Sequence, residues 1–108
     1  MTILNKSKKS VLFEDVVHLK SFLELTAGLI MQKNPSVAYF QTHFGIHTFG
    51  MLLPIDVYIL DNEKRVVKIQ KKLTPMRVFF WNPAYSHVIE SPHEDKNEIE
   101  IGDMLEFK

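Results

Sequence analysis

Three side chains that can take part in chemistry stand in one largely apolar run, residues 44–61 of the sequence. They are His47, Thr48 and Asp56, and each needs a hydrogen-bonding partner or water, since burial without a partner costs about 1–3 kcal/mol. A carboxylate beside a histidine sets the tautomer of the ring and raises its basicity, as general acid–base catalysis requires. His47 and Asp56 are therefore candidate catalytic residues. The alternative is structural: Asp56 fixes a turn after Pro54, and His47 is a hydrogen-bonded core residue.

A guanidinium group stands close to three consecutive aromatic residues, because Arg77 shortly precedes Phe79–Trp81. Arginine binds carboxylates and phosphates through paired hydrogen bonds, and an aromatic wall can stack on a ligand. We therefore predict that Arg77, together with Thr48, binds a ligand. The alternative is that the aromatic residues belong to the core and Arg77 lies on the outer face.

Metal binding is a weaker interpretation of the histidines. His43 and His47 have the spacing that places two zinc ligands on one face of a helix. Gly45 and its neighbours favour a strand instead, in which four positions span about 13 Å, too far for one metal ion. The chain has no cysteine, which excludes disulfides, thiolate catalysis and cysteine-based zinc sites. We predict no metal and no cofactor.

The charge of the chain is balanced overall but unevenly distributed. Its 108 residues include 13 basic and 13 acidic ones, so electrostatics gives no reason to expect nucleic acid as a partner. Basic residues concentrate in 64–77 and acidic residues in 90–106. No apolar run approaches the roughly 20 residues that span a membrane, and the basic N-terminus lacks the apolar segment of a signal peptide. We expect a soluble, cytoplasmic protein without a membrane span.

One helix and several short strands must position these side chains. Ser21 and Glu24 form a capping box, and the apolar residues that follow continue to Asn34-Pro35, which predicts a helix over about 21–32. Most of the remaining chain alternates like β-strands, including 98–101 and a hairpin in which the turn 61–64 joins 55–60 to 65–73. The predicted fold class is α+β: a strongly curved or barrel-like sheet of about seven short strands with one main helix. Residues 1–10 are predicted to be a loose basic arm, and 11–108 a single globular domain.

A series of short segments runs through the chain in a recognisable order and spacing. The segments are Ser21-Phe22, Gly28-Leu29, Ile46–Met51, Pro54–Asp56, Leu60-Asp61, Val66-Val67, Pro75-x-Arg77, Val88–Glu90 and Ile101–Asp103. Over about residues 11–107 they resemble the uncharacterised bacterial and archaeal domain-of-unknown-function family 192. Leu25, Gln32 and Leu52 stand where that family usually carries basic residues, so the chain resembles a divergent member and Arg77 remains the candidate anion-binding residue. The resemblance implies a compact, mostly β fold with one prominent helix, and it implies no activity.

These observations favour a small binding module over an enzyme. Its cleft would lie near His47, Thr48, Asp56 and Arg77 and take a small polar ligand or a peptide, since the sequence has no nucleophile motif or phosphate loop. The second hypothesis is a hydrolase-like or other acid–base enzyme, with His47 as the base oriented by Asp56. The third is a protein–protein adaptor that uses sheet edges, above all the basic strand at 64–72.

Overall fold

The described part of the chain is built from β-strands. A computed structural model describes residues 1–19, 37–43, 45–48, 53–96 and 98–108, and these contain ten strands in three sheets. The strands are β1 (Ile3–Asn5), β2 (Ser10–Phe13), β3 (Val17–His18), β4 (Ala38–Gln41), β5 (Gly45–His47), β6 (Ile55–Leu60), β7 (Val66–Leu73), β8 (Val78–Phe80), β9 (His87–Pro92) and β10 (Leu105–Phe107).

The largest sheet has five strands in the order β3-β4-β9-β6-β7, and all pairs are antiparallel except β3 with β4. All six residues of β6 are buried because apolar residues cover both faces of the sheet. Successive side chains of a strand point to opposite faces. Val57 and Ile59 accordingly pack into one apolar cluster, and Tyr58 and Leu60 into another.

A three-stranded sheet in the order β10-β1-β2 covers the second cluster. Ile3 and Leu105 are buried there against Tyr58 and Leu60. The segment 1–10, predicted to be a loose arm, therefore contains the central strand of a sheet. Burying an aliphatic side chain such as that of Ile3 stabilises the fold by about 1.5–3 kcal/mol, which holds the segment in place.

The third sheet pairs β5 with β8 and brings the two backbones close together. A Cβ atom on Gly45 would lie 2.6 Å from the carbonyl oxygen of Phe79, so only glycine fits there. Phe79 and Trp81 pack into the first cluster, with their rings 5.8 Å apart. The aromatic residues after Arg77 thus contribute to the core.

The predicted fold class was wrong. The described residues form ten strands in three separate sheets that do not close into one barrel, and they contain no helix. The helix predicted for about 21–32 lies outside the described residues. Residues 98–101 are described, and they do not form the predicted strand. The chain turns instead at Ile101-Gly102, where Gly102 has a φ of +97°. The strand predicted at 55–60 and its hairpin with the following strand are confirmed.

Candidate functional site

Asp56 is the most heavily hydrogen-bonded side chain of the described residues near the cleft. It lies on β6 and is only 1 % exposed. Its Oδ1 accepts from the backbone N–H of Lys72 at 2.8 Å and faces Nδ1 of His93 at 2.7 Å. Its Oδ2 lies 2.8 Å from Nζ of Lys71 and accepts from the backbone N–H of Glu94 at 3.2 Å. Four donors therefore occupy the four acceptor positions of one carboxylate.

A β-bulge in β7 supplies two of these donors. The partners of Ile55 and Val57 on β7 are three positions apart, so both Lys71 and Lys72 lie opposite Asp56. Lys72 has a φ of +53°, a left-handed conformation that a bulge accommodates. The extra residue turns the Lys72 N–H and the Lys71 ammonium toward the same carboxylate.

The other two donors come from the chain that follows β9. This strand ends at Pro92, and the N–H of His93 donates to the carbonyl of Pro54 at 3.2 Å, beside the start of β6. The imidazole of His93 then lies between two carboxylates, with Nε2 3.0 Å from Oδ1 of Asp95. The hydrogen bond to Asp56 raises the pKa of His93, and the contact with Asp95 acts in the same direction.

The charges of this cluster hold each other ionised. Burial by itself would raise the pKa of Asp56, but hydrogen bonds from Lys71, Lys72, His93 and Glu94 outweigh it and lower that pKa. Burial likewise opposes the charge of Lys71, and its contact with Asp56 outweighs that effect, so the pKa of Lys71 is raised. Asp56 is therefore a carboxylate and Lys71 an ammonium at neutral pH.

A cavity of about 310 Å³ opens beside this cluster, between the five-stranded sheet and the segments around β2 and after β9. The polar floor is formed by Asp56, Tyr58, Lys71 and Ser91. The walls are apolar and are formed by Leu12, Phe13, Val37, Pro92 and Ile99. Exposed charged residues also line it, namely Glu14, Asp15, Glu94, Lys96 and Glu98. A polar floor under apolar walls is typical of a small-molecule site.

The structure separates the site residues that the sequence grouped together. His47 is exposed on β5, opposite Val78 of β8, whereas Asp56 lies in the five-stranded sheet. The histidine that contacts Asp56 is His93. Asp56 is the predicted site residue that lines the cavity.

Thr48 and Arg77 do come together, but through backbone groups of Arg77. Thr48 is fully buried; its hydroxyl donates to the carbonyl of Thr74 at 2.7 Å and accepts from the N–H of Arg77 at 2.9 Å. The guanidinium of Arg77 is exposed, and its Nε donates to the Thr74 hydroxyl at 3.4 Å. The Thr48 hydroxyl thus anchors the loop between β7 and β8.

Three residues with titratable side chains were not identified as candidates from the sequence. His93 and Lys71 complete the Asp56 cluster, and nothing in the local pattern distinguishes them from surface residues. Glu90 is the third: it lies on β9 between Ala38 and Val57, and burial raises its pKa to about 8. Within the described ranges, no hydrogen bond or ion pair reaches its carboxyl group. A single charged residue at an otherwise apolar position of a strand is the signal that identifies it.

Metal ligands do not cluster in the described part of the chain, where no group of three histidine, aspartate or glutamate side chains is placed to hold an ion. His43, one half of the H-x-x-x-H pair, is hydrogen-bonded through Nδ1 to the carbonyl oxygen of Pro83 at 3.0 Å.

The fold and the cavity define a small, mostly β protein with a candidate binding cleft in its described part. Two archaeal proteins are similar to the chain over almost its whole length. A UPF0127 protein of Pyrococcus abyssi is 36 % identical, covering 97 % of this chain and 96 % of its own. A UPF0127 protein of Pyrococcus horikoshii is 31 % identical, covering 97 % of each. The chain belongs to the UPF0127 family, which is uncharacterised. No protein-family model matches it.

Two solved bacterial structures share the fold. A protein of unknown function from Novosphingobium aromaticivorans has a TM-score of 0.81 at 15 % identity, covering 98 % of this chain and 82 % of the other. A putative transcription regulator from Sinorhizobium meliloti has a TM-score of 0.78 at 14 % identity, covering 97 % and 89 %. At these identities the likeness shows the fold alone.

Proposed function

We propose that this protein is a small binding module that holds a ligand in the cavity beside Asp56. The observation that carries the proposal is a cavity of about 310 Å³ with apolar walls and a polar floor. This volume is at the lower end of the range for small-molecule sites, about 300–1,000 Å³. The floor is rigid because Asp56 holds segments from β6, β7 and the chain after β9 in one place.

The same contacts favour binding over catalysis. A general base needs a free lone pair to accept a proton, and the four acceptor positions of Asp56 are occupied. The ammonium of Lys71 is equally committed, with Asp56 at 2.8 Å, the carbonyl oxygen of Lys96 at 3.1 Å and the hydroxyl of Tyr58 at 3.5 Å. Groups so fully paired can shape a pocket, but they do not exchange protons readily.

An adaptor that pairs through a sheet edge is the second candidate. Its support is that β7 is the outer strand of the five-stranded sheet, with Lys68 and Lys72 exposed along it. Such a strand can add a peptide strand with acidic side chains. Lysine on an edge strand also discourages uncontrolled pairing, which is the simpler reason for its presence.

We also propose that the protein is a member of the domain-of-unknown-function family 192 and that it is located in the cytoplasm, as expected from the sequence. Among the residues that the structure describes, no helix is long and apolar enough to cross a membrane.

The test is a screen of metabolites and small fragments by thermal shift, with hits verified by NMR. A ligand that binds only the native state raises the melting temperature. Leu12 lines the cavity and Val11 is 53 % exposed on the same strand, so Leu12→Trp should abolish binding and Val11→Trp should retain it. Hits that survive Leu12→Trp but are lost in His47→Ala would move the site to β5. A screen without any hit would contradict the binding function.

A further inference from the structure

The side chains that line the cavity carry a net negative charge. Five carboxylates and two ammonium groups line it, which gives a formal net charge of −3. The chain as a whole is neutral, so the negative charge is a property of this surface.

The two charges on the floor cancel. Asp56 and Lys71 form an ion pair at 2.8 Å, and the remaining donors of Lys71 are used by Tyr58 and Lys96. The positive charge on the floor therefore has no donor left for an anionic ligand. This arrangement argues against a carboxylate or phosphate as the occupant.

The charges at the exposed mouth do not cancel. Four carboxylates remain there, of Glu14, Asp15, Glu94 and Glu98, against the single ammonium of Lys96. In the described ranges none of these five side chains is in an ion pair. Their field, next to low-dielectric apolar walls, attracts and holds a positive charge.

The walls add a second requirement. Leu12, Phe13 and Ile99 offer hydrocarbon surface. The ring of Tyr58 lies 6.0 Å from the Lys71 ammonium, so one ring in the cavity is next to a positive charge. A hydrated inorganic cation gains nothing from such walls, whereas a cation with a hydrocarbon body buries apolar area against them.

We propose that the cavity binds a small organic cation, an alkyl- or arylalkylammonium group, with its charge at the acidic mouth and its hydrocarbon part against Leu12, Phe13 and Ile99. This inference rests on the proposed binding function. The ammonium group belongs either to a free amine or to a lysine side chain of a peptide.

A series of similar shape and different charge tests the inference: phenethylamine, 3-phenyl-1-propanol and 3-phenylpropionate, titrated by NMR at pH 7 and low salt. The amine should bind at least about tenfold more tightly than the anion, and added salt should weaken it. Titration of Nα-acetyl-lysine amide, which keeps the side-chain ammonium, distinguishes a lysine side chain of a peptide from a free amine.

Matched variants locate the effect. Glu98→Gln should weaken amine binding by roughly two- to fivefold, Lys96→Gln should strengthen it, and Glu63→Gln, in the exposed turn after β6, should leave it unchanged. Tighter binding of the anion, lost in Leu12→Trp, would overturn the cation preference and leave the binding function standing. Failure of all three probes, together with an empty fragment screen, would overturn both.

Discussion

Nδ1 of His93 lies 2.7 Å from Oδ1 of Asp56, although the two residues are 37 positions apart in the chain. The contact fastens the segment after β9 to the start of β6, and the second carboxylate oxygen holds Lys71 of β7. One buried aspartate thus joins three parts of the chain at the floor of the cavity.

Removing the charge of Asp56 should destabilise the protein strongly. In Asp56→Asn an amide N–H₂ replaces one acceptor oxygen and faces a donor from Lys71 or His93. Loss of one partner from a buried charged group costs about 3–5 kcal/mol, and we expect about 3 kcal/mol because Lys71 is partly exposed. Urea unfolding measures the difference in the free energy of unfolding. The control is Asp95→Asn, whose fully exposed carboxylate also contacts His93. Equal effects of the two substitutions would contradict the central role of Asp56.

The stability of the protein should depend on pH through His93. The pKa of His93 is raised in the folded state by its hydrogen bond with Asp56. The stabilisation is therefore complete below the pKa of the unfolded chain, about 6.5, and is lost as pH rises through the folded value. His93→Gln should remove this part of the decline. NMR titration of the His93 ring in Asp56→Asn should give a lower pKa than in the wild type; an unchanged pKa would refute the assigned cause.

Glu90 should add a second decline over an overlapping range. Its pKa is about 8 in the folded state and about 4.5 unfolded, so the native state keeps a proton that the unfolded chain releases. The free energy of unfolding should fall between these two values, and Glu90→Gln should remove that fall. At pH 9 the variant should exceed the wild type by on the order of a few kcal/mol, and at pH 5 the two should be similar. Parallel pH profiles would show that Glu90 ionises as easily when folded as when unfolded.

Thr48 should matter for stability and not for ligand binding in the cavity. Thr48→Val leaves the N–H of Arg77 and the carbonyl of Thr74 without their buried partner, at a cost of about 1–3 kcal/mol. Thr48→Ser keeps the hydroxyl and should cost less than about 1 kcal/mol, the value of one buried methyl group. Both variants should bind cavity ligands like the wild type. Lost affinity in Thr48→Val at full stability would restore Thr48 as a ligand-binding residue.

Much of the strand pattern could be predicted because it is local. Alternation and β-branched residues predicted β6 at its observed bounds, and the turn at 61–64 joins it to β7 as expected. The segment 1–10 was predicted to be loose because β1 has only three residues and polar residues flank it on both sides. Ile3 becomes part of the core only when the sheet beneath it has formed.

The candidate site could be predicted only in part. Proximity in sequence favoured His47 as the partner of Asp56, whereas His93 reaches it from the segment that follows the neighbouring strand β9. The bulge that turns Lys71 and Lys72 toward Asp56 depends on the register between β6 and β7, and a local sequence pattern does not predict that register.

The sequence alone determined that the chain has no cysteine chemistry, carries no net charge, is rich in strands and places an aspartate at the start of a buried strand. Tertiary structure decided what that aspartate does. Burial makes an unpaired carboxylate costly, so the fold surrounds Asp56 with donors. Those donors come from β7 and from the segment after β9, which only folding brings together.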